Sequence, residues 1–237
     1  MRAAAHEMTR GIFITGTDTG VGKTVVAAAL LRTLVGAGYR AIGMKPVAAG
    51  IAAGETIHAD ARTLIDAGNV MAPLADVSPY AFAPPIAPEL AARASGATID
   101  LDRIAAAYSR LGATAEAIVV EGAGGVLVPL SRSADMLDIP LRLALPVLLV
   151  VGIRLGCLNH ALLSAHAIAA RGLRLAGWVA NRIDPEMMAS DANVAALVDR
   201  LPAPLCADFA WGSDDVHAFA VDRVALRELG FDSASKD

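Results

Sequence analysis

The chain has 237 residues and a formal net charge of −4 with no long block of like charge, so neither a nucleic-acid footprint nor a polybasic membrane patch is visible. Hydrophobic residues make up 55% and aromatic ones only 4%, which predicts a core of Ala, Val, Leu and Ile, as in a parallel sheet buried on both faces. The first ten residues carry charges but no apolar leader and are expected to be flexible, and the best apolar run, Leu143 to Ile153, is broken by Pro146 and Gly152.

Two distant cysteines, Cys157 and Cys206, give no disulfide framework and no metal-ligand spacing, so a cytoplasmic protein is expected. The length suits a single α/β domain spanning residues 1–237, with a mostly parallel sheet and helices on both faces.

In chain order, strand-length apolar runs fall at Gly11 to Thr15, Ala41 to Met44, Ala117 to Val120, Val147 to Val151 and Leu175 to Ala180. Helical patterns fall at Lys23 to Ala37, Ile57 to Asp66, Pro88 to Ala94, Asp100 to Leu111, Asn159 to Arg171 and Pro185 to Arg200. The stretch Pro73 to Pro88 holds five of the twelve prolines and is expected to be a long loop over the sheet edge.

Between the first strand and the first helix lies Gly16-Thr17-Asp18-Thr19-Gly20-Val21-Gly22-Lys23-Thr24. Glycines there let backbone N–H groups turn inward around an anion, Lys23 can reach the β/γ-phosphates, and the Thr24 hydroxyl can meet Mg²⁺ at a helix N-terminus. The common form of this loop has four residues between its first Gly and Gly-Lys-Thr, whereas five separate Gly16 from Gly22. The loop therefore points to a subgroup of phosphate-binding loops and not to the generic one.

Ligands of open α/β sheets bind beyond the carboxyl ends of the strands, and four further polar features fall there, with Asp60 on the helix that follows the second strand. Pro46 biases Lys45 toward an extended conformation that projects its ammonium from the second strand tip, either as a second cation beside the loop or as a solvated lysine. Asp60, in His58-Ala59-Asp60-Ala61, is either a Mg²⁺-shell carboxylate or an ordinary first-turn helix charge. Glu121 ends a buried strand before Gly122-Ala123-Gly124-Gly125, which suits a carboxylate on Mg²⁺ followed by a glycine-rich turn that lets a ligand approach. Gly152 to His160 leads into a helix with Asn159 as its expected N-cap, a second anion site or simple capping. The fifth strand ends at Asn181, whose amide either reads a base edge or starts a turn. His160 and His166 are six apart, not a metal pair, and Cys157 has no evident base.

Together these motifs resemble the dethiobiotin synthetase family from Gly11 to about Trp211. The resemblance rests on the loop with its five-residue spacing, Gly-Met-Lys-Pro-Val-Ala, Val-Glu-Gly-Ala-Gly-Gly, Leu-Gly-Cys-Leu-Asn-His, Gly-Trp-Val-Ala-Asn and Pro-Ala-Pro-Leu. It implies a P-loop NTPase-like fold and a homodimer with active sites at its interface, acting on 7,8-diaminononanoate, CO₂ and ATP with Mg²⁺. By resemblance, Thr24, Asp60 and Glu121 hold the metal, while Lys23 and Lys45 bracket the carbamate and the transferring phosphoryl group. Gly20, Val21, Gly22, Val25, Gly122, Ala123 and Gly124 line the nucleotide, and Asn181, Arg182 and Ala210, Trp211 and Gly212 hold its adenine end. Thr19, Lys45, Ala49, Gly124 and Cys157 are assigned to the substrate, whose carboxylate would meet Asn159 of the partner subunit.

Three positions depart from the family pattern. Ala49 replaces a common Ser, Glu89 stands where His is common, and Asn193 takes the place of a Tyr over the substrate tail. A rival within the superfamily, the partition or division-site ATPases, carries a second signature lysine five residues before the loop lysine. This chain has Asp18 there.

Overall fold

A computed structural model of the chain describes residues 10–212, 226–227 and 229–231. The first nine residues, where flexibility was expected, lie outside the described residues. Among those described, six parallel strands form one sheet in the order β2 (Ala41–Met44), β5 (Ala117–Gly125), β1 (Arg10–Gly16), β6 (Val147–Ile153), β7 (Leu175–Arg182) and β8 (Leu205–Phe209). Parallel neighbours need crossovers, and helices supply most of them: α1 (Lys23–Gly36), α5 (Leu101–Gly112), α6 (Asp138–Leu143), α7 (Cys157–Ala170) and α8 (Ser190–Val198).

The period-two geometry of the strands divides the core cleanly. Ile12 and Ile14 of β1, Val119 of β5 and Leu148 and Val150 of β6 pack on one face with the small residues of α1. Phe13, Ile118 and Val120 turn to the other face, beneath α5 and α6, and Leu149, Val151 and Trp178 pack there with α7 and α8. Burial on both faces explains why these strands read as continuous apolar runs. All seven residues of β6 are buried.

Several boundaries move. The expected loop at Pro73 to Pro88 instead contains a short helix, α3 (Leu74–Val77), and a strand, β4 (Tyr80–Phe82), before α4 (Pro88–Ala94). β4 pairs in parallel with β3 (Val47–Ala49), from Val47 opposite Tyr80 to Ala49 opposite Phe82. Proline lacks an N–H to donate, but the prolines lie just outside this three-residue pairing, which a two-stranded ribbon tolerates. β5 runs on through Gly125, so Glu121 lies inside a strand and the expected glycine-rich turn is its extension. The helix expected from Pro185 shortens to α8, because Ala189 takes the left-handed conformation (φ 57°) before its first turn.

Candidate active site

The phosphate loop is placed by the strand order. β1 is flanked by β5 and β6, while the chain leaving it passes through α1 to β2 on the far side of β5, so the loop sits where successive connections diverge. Gly22, at φ 89°, is the residue on which the loop turns into α1, and a Cβ there would also strike the Asn181 side chain. The Asn181 amide donates to the Val21 carbonyl at 2.8 Å and so braces the loop from β7.

Register then assembles the charges. Met44 of β2 lies opposite Val120 of β5, so the next residue of each chain, Lys45 and Glu121, emerges side by side at the carboxyl edge. The Lys45 Nζ donates to Glu121 Oε1 at 2.6 Å, to the Gly122 carbonyl at 3.1 Å, and meets Asp60 Oδ2 at 2.7 Å. An ammonium has three N–H donors, and all three are engaged. Thr24 Oγ1 donates to the same Glu121 oxygen at 2.8 Å, which leaves Glu121 Oε2 buried without a hydrogen-bond partner. Asp60 arrives on the first turn of α2 (Ala59–Ala67).

The two lysines respond in opposite directions. Burial works against the Lys45 charge, but Glu121 and Asp60 outweigh it and raise its pKa above the ordinary lysine value. Burial and then repulsion from Lys45 lower Lys23 to about 8, against weaker support from Glu121, Asp60 and Asp18. The Asp60 carboxyl falls below its usual value, since Lys45 overcomes the effect of burial. In this state Lys23 Nζ donates to the Asp18 carbonyl at 2.9 Å, and the Asp18 carboxylate pairs with Arg154 at 2.7 Å.

The other expected site residues are more dispersed. Asn159 is not an N-cap: α7 begins two residues earlier, capped by Gly156 at φ 92°, and Asn159 stands exposed in the first turn. Cys157 is buried at that helix start, with its Sγ 3.9 Å from the Asn193 Oδ1. Arg182 is held by both oxygens of Asp208, at 2.9 and 2.8 Å, and by Asp191 at 2.6 Å, a structural clamp across β7, β8 and α8. Trp211 is exposed, Ala210 and Gly212 flank it just beyond β8, and Val25 projects partly exposed from α1. Thr19 Oγ1 lies beside Gly124, close enough that a Cβ there would touch it, and Ala123 and Gly125 continue the same wall. An open cleft of about 480 Å³ runs from Thr17 and Asp18 past Val126 and Leu127 to His160 and Leu163 of α7. The Asp18–Arg154 pair was not anticipated, because an aspartate in the loop and an arginine far along the chain carry no mutual signal in sequence.

A family model described as an AAA domain matches residues 10–214. The chain is 52% identical to the ATP-dependent dethiobiotin synthetase BioD of Nitrosospira multiformis, over 84% of this chain and 87% of that one. It is 47% identical to the BioD of Xanthomonas oryzae over 85% and 91% of the two chains. The chain belongs to the dethiobiotin synthetase family. Among solved structures it is similar to the septum site-determining protein MinD of Pyrococcus horikoshii complexed with Mg-ADP, with a TM-score of 0.55, 17% identity and coverage of 93% and 99%. That likeness is one of fold alone. The dethiobiotin synthetase motifs quoted above lie within residues 10–214, the stretch that the family model matches, and Asp18 stands where the rival ATPases place their second lysine.

A lysine whose folded pKa lies below its unfolded value binds its proton more weakly in the native state, so stability rises with pH between about 8 and 10.5. Lys23→Met is therefore expected to stabilise the ligand-free protein at pH 7, by at most about 3 kcal/mol, with the gain shrinking toward pH 10. Urea melts of both proteins across that range check it; a gain independent of pH would mean that desolvation of the Lys23 charge is not its source.

Proposed function

We propose that the protein closes the ureido ring of dethiobiotin from 7,8-diaminononanoate, CO₂ and ATP, releasing ADP and phosphate. The observation that carries the reading is the convergence of Lys23, Thr24, Lys45, Asp60 and Glu121 at one strand edge, in a chain of this family. In the first step a substrate amine adds to CO₂ and loses a proton, giving a carbamate. A carbamate oxygen then attacks the γ-phosphorus of ATP as the bond to ADP breaks, and the second amine attacks the carbamoyl carbon and expels phosphate.

Lys23 and Lys45 hold the two anions together, which brings the reacting oxygen and phosphorus within reach and offsets the charge that develops between them. Lys45 can accept the carbamate by exchanging one of its three acceptors. Asp60, the most exposed of its two carboxylate partners at 31% against 1% for Glu121, is the one to yield. Thr19, Gly124 and Ala49 form the wall against the diamine, and Asn181 with Ala210 to Gly212 flanks the adenine end of the nucleotide.

Mg²⁺ fits the donor set. Thr24, Asp60 and Glu121 offer only hard oxygens, and the unpartnered Glu121 Oε2 is an acceptor in want of a cation. Among the described residues no group of three or more His, Cys, Asp or Glu side chains is placed to hold a metal, which agrees with an ion bound by few carboxylates together with phosphates. When bound, the ion would neutralise phosphate charge during transfer.

The assembly proposed is a homodimer in which Asn159 of the partner subunit and the adjoining N–H groups of its helix receive the substrate carboxylate. Leu127 just beyond β5, Leu155 just before α7 and Leu163 within it stand exposed, at 55%, 91% and 60%, and Leu127 and Leu163 line one cleft, apolar side chains suited to burial against a second copy. A cytoplasmic setting goes with this family reading, and no helix among the described residues is long and apolar enough to cross a membrane.

Purified protein supplied with diaminononanoate, bicarbonate and Mg-ATP is expected to form dethiobiotin and ADP together; nucleotide turnover indifferent to the diamine would sink the reading. Lys45→Gln should abolish ring formation while nucleotide still binds, and because it strands Glu121 it should also cost about 3–5 kcal/mol of stability, read by denaturant melts. Leu163→Glu should sediment as a monomer and lose turnover, and an active monomer would refute the shared site.

A further inference from the structure

α2 begins on a histidine, whose ring does two things at once. His58 Nδ1 accepts the backbone N–H of Asp60 at 3.2 Å, so that nitrogen carries no proton. The ring proton then sits on Nε2, which lies 3.2 Å from the Ala49 carbonyl oxygen and donates to it. A single imidazole therefore ties the end of β3 to the residue that grips Lys45. The contacts close a circuit: Lys45 leads through the backbone to Ala49, Ala49 to His58, His58 to Asp60, and Asp60 back to Lys45 at 2.7 Å.

The end of β3 is also held by its pairing with β4, where the Gly50 and Ile51 N–H groups donate to the Phe82 carbonyl, but the link from there to α2 is loose. Residues 52–56, which join β3 to α2, are all exposed and contribute no core contact. The His58 side chain is only 14% exposed, so its hydrogen bonds face weak competition from water. We propose that His58 is a positioning residue, which through its two ring hydrogen bonds sets the Asp60 carboxylate against Lys45 and holds the Ala49 wall at a fixed distance from both. It touches no reacting atom and acts through Asp60. The inference rests on the reading of Lys45 and Asp60 as site residues given above.

Three variants and one spectrum test it. Asn can accept the Asp60 N–H as a helix cap but is too short to bridge to Ala49, whereas Ala does neither. His58→Asn should keep a near-native melting temperature yet lose about 10- to 100-fold in kcat, as removal of an outer partner of a site carboxylate does, with the KM for ATP changed less than about twofold. His58→Ala should show the same kcat loss together with a melting temperature lower by roughly 2–4 °C. His58→Gln, long enough to reach Ala49, should recover part of the lost kcat. Long-range nitrogen–proton correlation on the nucleotide-free protein should show Nδ1 unprotonated and Nε2 protonated, with the resonance assigned by its disappearance in His58→Asn.

Full kcat in His58→Asn would reduce the residue to a cap and overturn the proposal, as would the opposite tautomer. A wild-type protein that makes no dethiobiotin would defeat the reaction assignment instead, and the tautomer and melting results would stand apart from that failure.

Discussion

The buried contact between Lys45 and Glu121 is what the rest of the site depends on, and it is a product of strand register. Because Met44 faces Val120 across β2 and β5, the two charged residues that follow emerge together, and Ile14 of β1 lies beside Glu121 to bring the phosphate loop to the same edge. A slip of one residue would send Glu121 to the opposite face of the sheet and take from Lys45 its one fully buried counter-ion. The apolar runs that read as plain core are thus also the ruler that sets the spacing of the charges.

Energetics argue that this contact serves chemistry more than stability. With Lys45 and Glu121 almost wholly buried, desolvation of both ions consumes most of what their attraction gives, and a well-packed apolar pair would serve the fold as well or better. Asp60 and Lys23 complete a set of two cations and two anions, so the site is close to neutral without ligand. In the proposed reaction nucleotide and carbamate arrive as excess negative charge. Lys23, kept below its ordinary pKa by burial and by Lys45, is the group whose protonation such anions favour most. Thr24, between α1 and Glu121, links the loop to the acid through one hydroxyl.

How much of this was legible in sequence differs by feature. The phosphate loop, its central strands and the places of Lys45, Asp60 and Glu121 along the chain could be read, because local glycine spacing and apolar periodicity report on local geometry. That Lys45 spends all three donors on neighbours could not be read, since it depends on a pairing between residues 76 positions apart. Asn159 reads as a cap because Asn is a favoured cap residue, whereas Gly156, at positive φ, takes the role three residues earlier in the chain. His58 escaped notice for the converse reason. It caps a helix although histidine is not among the residues that usually do.

The proline-rich stretch shows why function can hide where prediction is weakest. Proline penalises regular structure on average, so residues 73–88 read as loop, yet Tyr80–Phe82 needs only three residues to pair with Val47–Ala49. That pairing steadies β3, whose end supplies the carbonyl that His58 holds, and whose start follows directly on Lys45 and Pro46. The backbone N–H of Lys45 itself donates to Val77 at 2.8 Å, so α3 reaches the same point. The six-stranded sheet is of a kind shared with MinD, a protein of different description, and so it cannot by itself decide the reaction. Beside the sheet stand the small ribbon and α2, and between them they fix where the second lysine stands relative to the first.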